Sequence, residues 1–295
     1  MKQIRNYILL MCISVGALGA CDFTNTKEDE GNAVKMVYTE WSESVAITHL
    51  AKVLLQEKLE YDVTIKLANV HDVYEDLANG QAHVFADGWL PETHRTYIEK
   101  YPSGAFDQIG IIYPGARTGL IVPAYSKYQS IGDLATASSS EIIGIEAEAG
   151  VMMHAKSSIE TYGLKNTKLL EMAEGKMLVK FTDAYSRRNE IVITGWEPHW
   201  LFARFDVRFL DDPNNVFGEK ENIVAMGTKA FAELRPRAYR FFERMQLSEQ
   251  QFNSLMYFVK QYEDPEIGVR EWIKKNEYVV NQWIKGLKPE REKIM

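Results

Sequence analysis

The chain has 295 residues, 46% of them hydrophobic and 25% charged, with 19 glycines, 9 prolines and two cysteines. Those proportions exclude disordered, collagen-like and coiled-coil chains, and the length allows two domains or one large one with ample core. The 41 acidic residues outnumber the 34 basic ones, for a formal net charge of −7. No basic stripe survives in that count, which argues against a nucleic-acid partner.

Lys2 and Arg5 precede an apolar stretch from Tyr7 to Leu18 that ends in small residues. A positive start, a short apolar run and a small-residue end describe a secretory signal peptide over residues 1–20. The run is shorter than the ~20 residues a membrane-spanning helix needs. Leu18-Gly19-Ala20-Cys21 resembles a bacterial lipoprotein cleavage site, which implies cleavage before Cys21 and lipidation of that residue. Acylation would also remove an exposed thiol from an oxidising compartment. The other cysteine, Cys12, lies in the removed segment, so neither a disulfide framework nor a cysteine zinc site is expected. Residues 21–33 are polar and aperiodic, a lipidated flexible tether. The expected location is extracytoplasmic, periplasmic or cell-surface, anchored to a membrane through Cys21.

In the body, strands are expected at Val34–Tyr38, Val63–Leu67, His83–Asp87 and Gly110–Tyr113, with helices at Ser44–Lys58 and at Val70–Asn79, stopped by Gly80. The alternation resumes with strands at Leu120–Val122, Ile142–Ile145, Ile191–Thr194 and Val207–Leu210 and helices at Met152–Tyr162 and Lys176–Arg188. From Lys229 to Lys285 the pattern is nearly all helical, broken at Pro236, before Ser248 and at Pro265. Strand–helix alternation at this spacing implies an α/β protein with a parallel or mixed sheet between helices. The absence of a linker or composition break suggests two lobes between which the chain crosses more than once, residues 34–115 plus 225–295 forming lobe I and 116–224 lobe II.

No phosphate-binding loop, dinucleotide fingerprint, nucleophile elbow or H-E-x-x-H is present. The six histidines form no metal-spaced pair on one helix face, and Asp211-Asp212-Pro213-Asn214-Asn215 reads as a turn rather than a calcium loop. No catalytic residue, cofactor or metal is therefore expected. An acid–base enzyme built on Glu43, Glu148 or Asp87 stays as the competing class.

The tryptophans carry more information. Trp41 sits between the first strand and the first helix, Trp89 follows the strand at 83–87, and Trp196 follows the strand at 191–194. In open α/β sheets ligands bind outside the carboxyl ends of the strands. Indole faces converging there form an aromatic cage that suits a quaternary ammonium, which has no N–H to donate. An anionic end on the same ligand would take the backbone N–H groups of the Ser42–Ser44 turn or a donor such as His199. Glu43 is either an acid attracting the cation or a first-turn glutamate favoured by the helix dipole. Tyr113 is either a fourth wall or hinge packing. Trp272 and Trp283 read as packing residues, Trp200 as lobe packing or a further site residue, and Glu148, Ala149 and Gly150 as the start of a helix, capping it or touching ligand.

Trp41-Ser-Glu-Ser-Val-Ala-Ile-Thr48, Gly88-Trp-Leu-Pro91, Arg117-Thr-Gly-Leu-Ile-Val-Pro123, Gly195-Trp-Glu-Pro-His-Trp-Leu-Phe-Ala203 and Phe209-Leu-Asp-Asp-Pro213 together resemble the substrate-binding proteins of glycine betaine/proline betaine ABC importers. The resemblance implies a two-lobe periplasmic-binding-protein fold with the ligand cleft between the lobes. It implies a monomer that delivers a small quaternary ammonium ligand to an ABC permease in the membrane. Trp41, Trp89 and Trp196 match cage tryptophans, His199 a carboxylate-side donor, Glu43 an acidic position shared by choline and betaine binders, and Tyr113 loosely a wall. Choline, carnitine or another small solute is the alternative ligand.

Overall fold

A computed structural model describes residues 32–138 and 140–289. The expected signal peptide, Cys21 and the tether as far as residue 31 lie outside the described residues. No described helix is long and apolar enough to cross a membrane.

The chain opens with β1 (Ala33–Tyr38), α1 (Ser42–Leu59), β2 (Asp62–Leu67), α2 (Val70–Ala78), β3 (Val84–Leu90) and a short α3 (Arg95–Ile98). β1 pairs in parallel with both β2 and β3, as expected for strands joined through helices. Ala46, Ile47, Leu50, Ala51, Val53, Leu54 and Leu55 of α1 are all fully buried. A helix apolar on most of its circumference must be covered on more than one side; α1 packs against β1, β2 and β3 and against three helices of the carboxyl-terminal segment.

β4 (Phe106–Pro123) is one 18-residue strand where the sequence suggested two short ones. Register shifts at Gln108/Gly110, Ile111/Tyr113 and Pro114/Ala116 let it bend while it continues. Gly115, at φ +81°, supplies a backbone conformation that favours glycine. Then follow β5 (Ser140–Ile143), α4 (Gly150–Thr161), β6 (Thr167–Leu170), α5 (Glu174–Ser186), β7 (Val192–Glu197), α6 (Leu201–Arg204), β8 (Val207–Phe209) and β9 (Glu221–Thr228). The end of the chain is helical, as expected: α7 (Lys229–Leu234), α8 (Pro236–Arg244), α9 (Glu249–Lys260), α10 (Pro265–Lys275) and α11 (Glu277–Ile284).

Among the described residues the strand order is β2-β1-β3-β9-β4-β7-β5-β6, with β8 on β4. Two of these strands, β6 and β9, were not anticipated. β9 runs antiparallel between β3 and the first part of β4, from Phe106↔Thr228 to Ala116↔Glu221. From Arg117 onward β4 pairs instead with β7 and β8. The first half of the sheet is thus β1, β2, β3, β9 and the start of β4; the second half is the rest. Residue 225, the expected return point, falls inside β9, whose pairing with the first half begins at Glu221. The chain passes between the halves at Ala116/Arg117 and again in the segment leading to Glu221.

Candidate functional site

Trp41, Trp89 and Trp196 line one cavity where the halves meet, together with Glu43, Thr93, His94, Thr118, Ile145, Ala149, Gly150 and Val151. Its empty space, open solvent included, is about 270 Å³. Trp41 and Glu43 come from the start of α1, and Trp89 and His94 from β3 and the turn after it. Trp196 ends β7, and Gly150 and Val151 begin α4.

Each of the three indoles is fixed by a carboxyl group. Trp41 Nε1 donates to Glu146 Oε2 at 3.2 Å, Trp89 Nε1 to Asp87 Oδ1 at 3.0 Å and Trp196 Nε1 to Glu43 Oε2 at 2.9 Å. With the N–H groups so engaged, the polar edge of each ring is satisfied within the protein. Two of these bonds cross between the halves. Trp41 belongs to the first half and Glu146 to the second; Trp196 and Glu43 reverse that relation.

Glu43 and Asp87 are both buried. Burial pushes Asp87 up to about 8, against the opposing effect of its Trp89 and Ser44 hydrogen bonds. Burial also pushes Glu43 well above the usual carboxyl range, helped by the charges of Asp87 and Glu174 and opposed by the Glu43 backbone N–H and the Trp196 indole. His94 is pushed down to about 3 by burial, so it is neutral. Its Nδ1 accepts the Trp89 backbone N–H at 3.2 Å, leaving the ring proton on Nε2 as a donor. α4 starts after Ala149, which offers no side-chain cap; the early N–H groups of a helix have no partner inside it and favour an anion. Thr118 Oγ1 is buried without a protein partner. A second cavity, with about 630 Å³ of empty space, shares Trp41 and Ala149 with the first and is bordered by Glu40, Glu146 and Glu148.

His199 and Tyr113 stand elsewhere. His199 packs edge-on to Trp196 at 5.2 Å between centroids and lies outside the cavity lining; its Nε2 meets Glu174 Oε1 at 3.0 Å. The Ser42 backbone N–H, expected to receive the ligand's anionic end, donates to Glu174 Oε2 at 2.9 Å. The carboxylate that these groups bind is therefore the protein's own. Tyr113 packs against Phe252 at 5.7 Å, on the hinge-packing side of the two readings. Trp200 also lies outside the lining, and Trp272 and Trp283 stack on each other at 6.4 Å. His94, Thr93, Thr118, Ile145 and Val151 of the lining were not among the expected site residues, whereas Ala149 and Gly150 were read as a helix start or a ligand contact. A usable signal existed for Gly150 and Val151, since an uncapped helix start is an anion site, but Ser42–Ser44 offered the same signal.

A two-lobe α/β fold with a tryptophan-lined cavity between its lobes defines a solute-binding protein. The sequence matches the OpuAC family, the substrate binding domain of ABC-type glycine betaine transport systems, over residues 32–275, and the chain belongs to that family. The family consists of binding domains and not enzymes. The glycine betaine/carnitine transport binding protein GbuC of Listeria monocytogenes serotype 1/2a (strain 10403S) is 34% identical over 179 residues, which are 60% of this chain and 59% of the relative; the match thus spans less than two thirds of that protein's length. Lactococcal OpuAC in its closed-liganded conformation with glycine betaine superposes with a TM-score of 0.81 at 32% identity, over 86% of this chain and 100% of that one. The glycine/betaine/L-proline-binding protein ProX of Borrelia burgdorferi gives 0.80 at 28% identity, over 88% and 97%.

Proposed function

We propose that this protein captures glycine betaine in an aromatic cage made by Trp41, Trp89 and Trp196, with Glu43 beside it, and delivers it to an ABC permease. The observation that carries this reading is the polarity of the cavity. Three indoles whose N–H edges are already bonded stand together with the start of α4 and the neutral His94. A zwitterion fits that arrangement: its trimethylammonium lies against the rings, and its carboxylate takes the Gly150 and Val151 N–H groups and His94 Nε2. A desolvated cation–π contact is worth about 2 kcal/mol or more. Two of the three indole anchors cross between lobes, so the cage is complete only when the lobes close, and ligand binding biases the hinge toward closure. The protein acts as a monomer, outside the cytoplasm, with lobe I at about 34–115 plus 225–295 and lobe II at 116–224. Residues 1–20 are removed, and lipidation of Cys21 holds it to a membrane through the 21–33 tether.

A second reading, choline, is favoured by the buried acid Glu43 at the cavity wall. Calorimetric titration separates the two. Glycine betaine binds saturably and more tightly than choline, because choline leaves the α4 start and His94 without an anion. The affinity rises with pH. Asp87 is protonated below about 8; a bound cation favours its ionised form, so binding expels a proton. If the cation lowers that titration by one pH unit, binding is about tenfold tighter on the alkaline side. Choline binding more tightly throughout would replace the betaine assignment.

A further inference from the structure

Glu174 opens α5 in the second lobe and is 3% exposed, yet it does not line the cavity. Its Oε2 accepts the Ser42 backbone N–H at 2.9 Å, and its Oε1 accepts the Ser42 hydroxyl at 2.6 Å and His199 Nε2 at 3.0 Å. His199 Nδ1 accepts the Leu201 N–H at 3.1 Å, so the ring proton sits on Nε2 and points at the carboxylate. Trp200 Nε1 donates to Ser42 Oγ at 3.3 Å. Lys260 of α9 lies over the Trp200 ring at 4.1 Å. The N-cap of α1 is Trp41, which provides no side-chain cap; the cap comes from the opposite lobe. Burial alone would raise Glu174, but His199 and Ser42 hold it below the usual carboxylate range, and it is ionised at neutral pH.

We propose that Glu174 is a positioning residue for ligand retention. Its one buried carboxylate holds the Trp41–Glu43 turn of the first lobe against the Trp196–Trp200 loop of the second, and its bonds to Ser42 form only on closure. The inference rests on the cage reading, since those two segments carry Trp41, Glu43 and Trp196. Charge-assisted bonds across a closing interface are lost before the ligand leaves. Their removal therefore speeds release and leaves capture nearly unchanged.

The test measures glycine betaine and proline betaine binding, at equilibrium and by stopped flow, in the wild type, Glu174→Ala, Glu174→Gln, Ser42→Ala and the Ser42/Glu174 double variant. Glu174→Ala should weaken both ligands by the same factor, about tenfold to a hundredfold, nearly all of it in the off-rate. Glu174→Gln keeps acceptor oxygen without the charge and should lose less. Ser42→Ala should cost little once Glu174 is already alanine, because the two act through one contact. Unchanged affinity in Glu174→Gln and Ser42→Ala, or additive losses in the double variant, would overturn the inference. A factor that differs between the ligands would place Glu174 in contact with them and overturn it too. A wild type that binds neither ligand would end the betaine reading alone. Small-angle scattering would then decide through the closed fraction that exists without ligand: ligand-free Glu174→Gln should hold less of it and be more expanded than the wild type, and identical profiles would contradict that.

Discussion

Trp196→Ala should weaken glycine betaine binding by roughly 30-fold or more, the equivalent of about 2 kcal/mol for one desolvated cation–π wall. The loss has a second source. Trp196 Nε1 is a hydrogen-bond donor to buried Glu43, and truncation leaves that carboxyl unpartnered beside the cavity. Thermal stability should fall as well, because Trp196 is buried and packs edge-on to His199, so affinity is read on the folded fraction. Trp272→Ala is the control. Trp272 is fully buried, stacks on Trp283 and donates to Ser254 Oγ at 2.8 Å. Its truncation should cost about 3–5 kcal/mol of stability while the folded fraction binds betaine with near-wild-type affinity. Equal affinity losses at the two positions would show that the cavity between the lobes is not the binding site.

Gly150→Ala should weaken binding by about a hundredfold or more with the fold intact, on the scale of the larger steric penalties in packed protein. Gly150 begins α4 in the second lobe and faces Thr93 in the first. A Cβ there would fall on the Thr93 carbonyl oxygen and Cγ2, well inside van der Waals contact, and 3.0 Å from the Thr93 carbonyl carbon. Thr93 cannot retreat easily. Glu221 Oε2 accepts its backbone N–H and that of Glu92, each at 3.1 Å, and the Thr93 hydroxyl also bonds to Glu221. The added methyl therefore acts as a wedge between the lobes. Gly150 is not among the residues with positive φ, so alanine suits its backbone and the open form should be unharmed. Scattering should show a ligand-bound variant that fails to compact, and calorimetry should show the affinity loss. Wild-type affinity would mean that binding does not bring Gly150 against Thr93.

The legible parts of this protein were those written locally. The apolar strands and the helix periodicity gave most elements within a few residues, because each is bounded by its own turn. Trp41, Trp89 and Trp196 were legible for the same reason: each lies where a strand gives way to a turn. β9 was missed because Glu221–Thr228 leads straight into the helical tail, and its role depends on pairing with β3 and β4, more than a hundred residues earlier. β4 was split because Pro114 and Gly115 look like a stop; bulges carry the strand through them. His199 is a case of another kind. The residue type and its nearness to Trp196 were right for a carboxylate, and the carboxylate it meets is Glu174, which only the fold brings close. His94, five residues after Trp89, joins the cavity because its ring turns back to accept the Trp89 N–H. Spacing alone does not encode that turn.

The central claim is that indole faces hold a positive charge, and one calorimetric comparison tests it most directly. Glycine betaine and tert-butylacetate have the same shape and the same carboxylate, and only the first carries a cation. The rings offer both ligands the same apolar contact, so any difference between them reports charge. Betaine should bind at least about 30-fold more tightly, with the difference reduced in Trp196→Ala. If tert-butylacetate binds as well as betaine, the cavity holds its ligand by shape and apolar contact, and the cation–π account is wrong.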